Sequence, residues 1–219
     1  MQPAWTILSE AKNLAGAWED KGRYYWRMTP FLLPWYNLIP GSLDPDETLG
    51  GHGWVPIDDE HCWKFCVNWR ASRPFSEAER ETILGSHGLH AECIPGTYRR
   101  LRDPMNDYLI DRELQRRQNF TGIVGVIDQD AACQESMGPI FDRTKEHLGT
   151  ADAAIIALRR QLLRLVRQLR QGIEPDAPYT PEGYRVRSVS VVLPRDVSWI
   201  EGAKEQLEAP ALSAPYPDA

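Results

Sequence analysis

The stretch TADAAIIALRRQLLRLVRQLRQG, residues 150–172, limits the possible folds more than any other part of the chain. Ile155, Leu158, Leu162, Leu165, Val166 and Leu169 recur at helical spacing and form one apolar stripe. Thr150 stands where an N-cap belongs, and Gly172 stands where a helix stops. Five arginines between Arg159 and Arg170 fall mostly off the stripe, as on a solvated face. A long helix with one apolar side is stable only when that side is covered, so the rest of the chain has to supply a broad apolar surface.

The first seventy residues read as that surface. In GRYYWRMTPFLLPWYNLI, Tyr24, Trp26, Met28 and Leu32 share one side of a strand, and Tyr25, Arg27, Thr29 and Phe31 share the other. Pro30 and Pro34 predict an edge or a bend. HGWVPIDDEHCWKFCVNW predicts a hairpin that turns near Asp58, Asp59 and Glu60. His61, Trp63, Phe65 and Val67 then lie on one face, with Cys62, Lys64, Cys66 and Asn68 on the other. YRVRSVSVVL, 184–193, is a last strand, and the Ala/Pro-rich tail from 208 to 219 is expected to be loose. Between sheet and long helix, Ser76 and Glu79 form a capping box for a short helix. NDYLIDRELQRRQ predicts another helix, capped by Asn106. GSHGLHAECIPGTYRRLRDPMN is irregular, and a loop that long in a compact domain is more often functional than idle. The expected fold class is α+β: an antiparallel sheet with a long C-terminal helix, over residues 1–207.

Of the 219 residues, 42% are hydrophobic and 26% charged, as in an ordinary globular protein. Eight Trp and eight Tyr suit a large core, a cavity or an interface. A net charge of −6 argues against nucleic acid as a partner, because phosphate binding needs positive charge. No run approaches the roughly 18 apolar residues of a membrane span, so no membrane association and a cytoplasmic location are expected. Cys62, Cys66, Cys93 and Cys133 read as reduced thiols rather than a disulfide framework. On a strand, Cys62 and Cys66 lie roughly 13 Å apart, too far to share a metal. His87, His90 and Cys93 lack the paired-cysteine frame of a zinc site and read as a polar loop.

One segment does not fit the simple scheme. In GVIDQDAACQESMGPIFDRTKEHLG, 125–149, Ile127, Cys133, Gln134 and Met137 gather on one side of a helix together with Ile123 and Val126. Asp130 falls inside that cluster, while Asp128 lies roughly opposite, nearer Ala131, Ala132 and Glu135. A carboxylate on a buried stripe has to be protonated, paired with a base or bound to a cation. Periodicity leaves a buried salt bridge and a metal or catalytic role both open for Asp130.

The run DYLIDRELQRRQNFTGIVGVIDQDAACQESMGPIFDRTKEHLGTADAAIIALRRQLL resembles the C-terminal catalytic domain of Rieske non-heme iron oxygenases. The nearest branch is that of the phthalate 4,5-dioxygenase oxygenase subunits and the aryl ether O-demethylases. YYWRMTPFLLPWYNLIP, GHGWVPIDDEH and YRVRSVSVVLP resemble the same branch. The resemblance implies a helix-grip fold and hydroxylation or O-demethylation of an aromatic carboxylate with O2. Electrons would come from a ferredoxin or flavin reductase through a 2Fe–2S Rieske cluster to mononuclear iron(II), and the assembly would be a homotrimer. It assigns one iron ligand, Asp130, in a motif that reads Gln129, Asp130 and Glu135 here. Gln134 and Glu135 would orient that ligand, and Arg27, Asn119 and Phe120 would meet the substrate.

The departures from the family pattern are as informative. Its two iron histidines lie in an Asp-x2-His-x4-His segment, and its cluster is held by Cys-x-His and Cys-x2-His pairs. None of these occurs in the chain, whose histidines are His52, His61, His87, His90 and His147. The resemblance therefore implies a C-terminal piece whose Rieske domain and two iron histidines lie elsewhere, inactive alone and with a sheet edge left open. If further iron ligands exist in the chain, His61 and His87 are the first to consider. The alternative reading is a non-catalytic helix-grip module that binds a ligand or completes another subunit.

Overall fold

The computed structural model describes residues 5–13, 22–41, 43, 48–70, 72–84 and 90–209. The chain divides into two compact units. The first comprises residues 1–55, 63–72 and 147–219; the second comprises 56–62 and 73–146.

The first unit is built on an antiparallel sheet. Strands β1 (Trp5–Asn13), β2 (Arg23–Leu32), β3 (Tyr36–Ile39), β4 (Leu49–Pro56) and β5 (Cys62–Trp69) follow one another in the order of the chain. Strand β6 (Val189–Pro194) returns to pair antiparallel with β2, with Met28 opposite Val189 and Tyr24 opposite Leu193. Side chains alternate across β2, so Met28 and Phe31 face opposite sides of the sheet, and each side builds its own apolar cluster. Met28, fully buried, packs with Val189, Ala203 and Leu207, with Trp26, Val191 and Trp199 around them. These contacts hold the short helices α5 (Trp199–Gly202) and α6 (Lys204–Leu207). Around Leu33 and Ala177 gather Phe31, Leu162, Leu165 and Tyr184.

Leu162 and Leu165 belong to helix α4 (Ala153–Leu169), the long amphipathic helix of the sequence. It starts two residues later than its Thr150 cap implies. Residues 150–152 form a 3-10 turn, and Asp152 Oδ2 accepts the Gly149 N–H at 2.8 Å. Its end is as expected. Gly172, at φ +79°, donates to Leu169 O at 2.9 Å, and Ile173 donates to Gln168 O at 3.0 Å, the paired bonds of a Schellman stop. The observed architecture is thus the expected α+β class.

The β4–β5 hairpin turns at the expected acidic residues. Asp58 Oδ1 accepts the backbone N–H groups of Glu60 and His61 at 2.8 and 2.7 Å. On β5, Trp63, Phe65 and Val67 are exposed, while Lys64 lies over the Trp54 ring on the other face. At the C-terminal end, Ala209 N–H donates to Arg185 O at 3.2 Å and Glu208 bridges Val186. Glu208 and Ala209 are the first two residues of the tail expected to be loose, and residues 210–219 of it lie outside the described residues.

The second unit holds helices α1 (Glu77–Leu84), α2 (Arg112–Arg117) and α3 (Val126–Glu135). The Ser76–Glu79 box starts α1 as expected: Glu79 Oε2 accepts the Ser76 N–H at 2.8 Å, and Ser76 Oγ accepts the Glu79 N–H at 3.3 Å. Asn106, in contrast, does not cap a helix running from 106. It is the far member of a box opened by Asp103 over a 3-10 segment, Pro104–Leu109. Asp107, Tyr108 and Leu109 all have φ near +50°, a conformation that breaks the helix. Asp111 caps α2 instead, accepting from Glu113 and Leu114 N–H at 2.8 and 3.0 Å.

Candidate functional site

Helix α3 is reached through a tight connection. Asn119 Oδ1 accepts the N–H groups of Gly122 and Thr121 at 2.6 and 3.2 Å, folding the chain back on itself. Gly122, at φ +70°, accepts the Asp111 N–H on its carbonyl oxygen at 2.9 Å, and a Cβ there would lie 2.5 Å from Asp111 O. Only glycine fits this position.

The irregular stretch before α2 is organised where it matters. Ile94-Pro95-Gly96-Thr97 forms a β-turn closed by Thr97 N–H to Ile94 O at 3.0 Å, with Gly96 at φ +77°. Pro second and Gly third are the residues of a type II turn. Ile94 N–H to Arg99 O and Leu101 N–H to Glu92 O, both 2.8 Å, extend it into a small ribbon. Arg100 and Arg102 lie two apart on its return limb and therefore point the same way.

Both arginines meet α3 at Asp128. Arg102 Nη1 lies 3.5 Å from Asp128 Oδ2 and 3.7 Å from Glu92 Oε2. Arg100 Nη1 lies 3.7 Å from Asp128 Oδ1, and its Nη2 pairs with Glu135 Oε1. Asp128 is 3% exposed. Burial pushes its carboxyl above the usual carboxylate range, and Arg102 and then Arg100 pull it part of the way back. The Tyr108 hydroxyl is also buried, without a hydrogen-bond partner. Burial raises it first, and the nearby Glu135 raises it further.

This arrangement changes the expected burial of α3 in part: Ile123 and Ile127 are buried as expected, but the two aspartates exchange places. The periodicity groups its residues correctly, with Asp128 beside Ala132 and Glu135 and Asp130 on the other side. Yet Asp128 is buried, with Ile127 and Ala132, while Asp130 is exposed. Val126 and Met137, expected in the apolar cluster, are 56% and 50% exposed. The reason is the ribbon: two guanidinium groups make the carboxylate side the one that can be buried. Among the described residues, no ion pair or side-chain hydrogen bond engages the Asp130 carboxylate.

The other sequence candidates are dispersed. Gln134 is exposed on α3, and Glu135 turns to Arg100 rather than to Asp130. Asn119 shapes the turn before α3, and Phe120 beside it is 99% exposed. Arg27 lies in the first unit, half-buried, where its Nη2 donates to Pro40 O at 3.1 Å. His61 is held by Asp58, with Nδ1 2.9 Å from Oδ1, and His87 lies outside the described residues. Sequence reasoning missed Arg100 and Arg102. The signal was present, as a Pro-Gly turn followed by Arg-x-Arg. Among the described residues, no three His, Cys, Asp or Glu side chains converge as a metal site would need. Asp130 is one donor of the right chemistry for a facial triad, but the described residues do not by themselves fit a whole iron site. No described helix is long and apolar enough to cross a membrane.

Residues 17–214 match the family described as LigXa C-terminal domain like. Over 202 residues the chain is 32% identical to the 3-chlorobenzoate-3,4-dioxygenase oxygenase subunit of Comamonas testosteroni, a match covering 86% of this chain and 46% of that protein. Over 180 residues it is 33% identical to the phthalate 4,5-dioxygenase oxygenase subunit of Pseudomonas putida, covering 80% and 39% respectively. A shorter match, 29% over 123 residues, is to the 5,5'-dehydrodivanillate O-demethylase oxygenase subunit of a Sphingobium species, covering 56% of this chain and 24% of that protein. The chain therefore belongs to the LigXa C-terminal domain like family, and its relatives are the oxygenase subunits that the sequence resembles. It spans less than half the length of these relatives.

Proposed function

We propose that this chain is the C-terminal part of the catalytic domain of a Rieske-type oxygenase that hydroxylates or O-demethylates an aromatic acid. O2 and reductase-supplied electrons would be its co-substrates. In this reading Asp130 is the carboxylate offered to mononuclear iron(II). The observation that carries the reading is the state of Asp130: exposed and unpaired among the described residues, on a helix whose opposite side is tied down. A carboxylate left without a partner on a fixed element is suited to accept one. The relatives named as dioxygenase and O-demethylase subunits support the reaction class.

The roles of this chain's other residues follow from their places. Gln134, four residues beyond Asp130, lies on the same side of α3 and is the side chain to steady a ligated Asp130 carboxylate. Phe120 offers an exposed ring to an aromatic substrate, and Asn119 holds the turn that presents it. Arg27 keeps further guanidinium donors beyond the one given to Pro40 O, in the fork geometry that suits a carboxylate. Chemistry at iron requires two more ligands than the described residues supply.

The test is completion. The chain is co-expressed with the N-terminal portion of a relative, purified without oxygen and assayed for iron. The completed assembly is expected to hold iron stoichiometrically and to lose it on Asp130→Ala. Iron fully retained in Asp130→Ala would overturn the assignment. The chain alone is expected to hold little iron and to show no iron–sulfur absorption. Binding of benzoate or phthalate by a completed assembly that takes up no iron would favour the non-catalytic module.

A further inference from the structure

We infer that the ribbon 92–102 is a two-point clamp on helix α3, making Arg100 and Arg102 positioning residues that fix which way Asp130 faces. For its functional meaning, though not for its geometry, this rests on the reading of Asp130 as the iron carboxylate. Asp128 and Glu135 are seven residues apart, so they lie on one face of α3, about 10 Å apart along its axis. Arg100 reaches both: Nη1 is 3.7 Å from Asp128 Oδ1, and Nη2 pairs with Glu135 Oε1. Arg102 adds a second contact to Asp128, at 3.5 Å. One contact would let the helix pivot, whereas contacts two turns apart fix both its axis and its rotation.

The rest of α3 is poorly equipped to fix that rotation. Its N-cap, Gly125, makes no side-chain cap bond, and its buried apolar side chains are Ile127 and the small Ala132. The ribbon, in contrast, is braced. Arg100 Nη1 donates to Arg102 O at 3.2 Å, and Asn106 Nδ2 donates to Leu101 O at 2.7 Å. Asn106 in turn is locked into the box opened by Asp103. Asp130 follows Asp128 by two residues, about 200° around the helix, so holding Asp128 against the ribbon turns Asp130 away from it.

Residual dipolar couplings of backbone amides test the clamp without any metal, because their periodic variation along a helix reports its rotation. The measurement uses the deuterated, 15N-labelled full chain. In Asp128→Asn and Arg100→Met, the α3 couplings are expected to shift in phase relative to those of α2, while Asp130→Asn leaves them unchanged. Arg102→Met, which leaves Arg100 on both carboxylates, is the milder variant and is expected to shift less. Arg100→Lys, which keeps the charge but reaches one carboxylate at a time, is expected to restore part of the phase. Couplings that superimpose on the wild type in Arg100→Met and Arg102→Met would overturn the clamp, even if both variants melt earlier, since the cluster would then only add stability. If Asp128→Asn does not fold, these two arginine variants still decide. Failure here would leave iron loss in Asp130→Ala untouched, and failure there would leave the couplings untouched.

Discussion

Helix α4 rests on apolar contacts, with Leu158 buried and Leu162 and Leu165 packed near Leu33 and Ala177. Helix α3 rests on charge, with Asp128 and Glu135 drawn to Arg100 and Arg102. The two helices show two ways of fixing an element. Apolar burial is strong but non-directional, so it needs a wide stripe to set rotation. A buried ion cluster adds less net stability than an apolar replacement can, yet it demands particular partners in particular places. The helix that carries the candidate functional residue uses the second way.

The comparison is most easily broken at its apolar side. Leu158→Ala should cost about 3 kcal/mol, the usual loss for emptying a buried leucine site, and the loss should be insensitive to salt. Urea unfolding at low and high salt measures both. Asp128→Asn should cost about 2 kcal/mol, less than a bare buried pair, because Arg100 keeps Glu135 and Arg102 keeps Glu92. The comparison sharpens if Arg100→Met, Asp128→Leu and Arg102→Met are combined. Unfolding should show stability recovered to within about 1 kcal/mol of the wild type, while the dipolar couplings of α3 stay altered. Tyr108→Phe removes a buried hydroxyl without a partner and should stabilise by up to about 1 kcal/mol, read from the urea midpoint.

The smallest effect is one of pH. The backbone N–H groups of Leu114 and Glu113 hold the Asp111 carboxyl below its ordinary range. A lowered folded-state value means that the cap's contribution is present above the unfolded-state value. It is lost as pH falls through the folded one. The amide signals of α2 should therefore shift toward frayed positions on acidification in the wild type, and should already lie there at neutral pH in Asp111→Ala.

Much of the scaffold was legible because its signals are local. The stripe of α4, its Gly172 stop, the Asp58 turn and the Ser76–Glu79 box each depend on residues a few positions apart. The misplaced cap shows where local reading ends. Asn106 has the right chemistry for an N-cap, but three residues with positive φ follow it, and Asp111 takes the role. Asp130 was singled out on its motif and expected on the buried side, and it is exposed. Of the larger apolar side chains of α3, Ile127 is buried but Val126 is exposed, and Ala132 is buried beside Asp128.

By itself, then, the sequence determined the α+β class, the order of the main elements and the grouping of residues around α3 and α4. Those follow from periodicity and short-range hydrogen bonding, which are functions of sequence spacing. Only the tertiary structure decided that β6 returns to β2, and that a ribbon from residues 92–102 delivers two arginines to Asp128. Whether a carboxylate can be buried depends on what charge meets it, and that charge comes from residues more than twenty positions away in the chain.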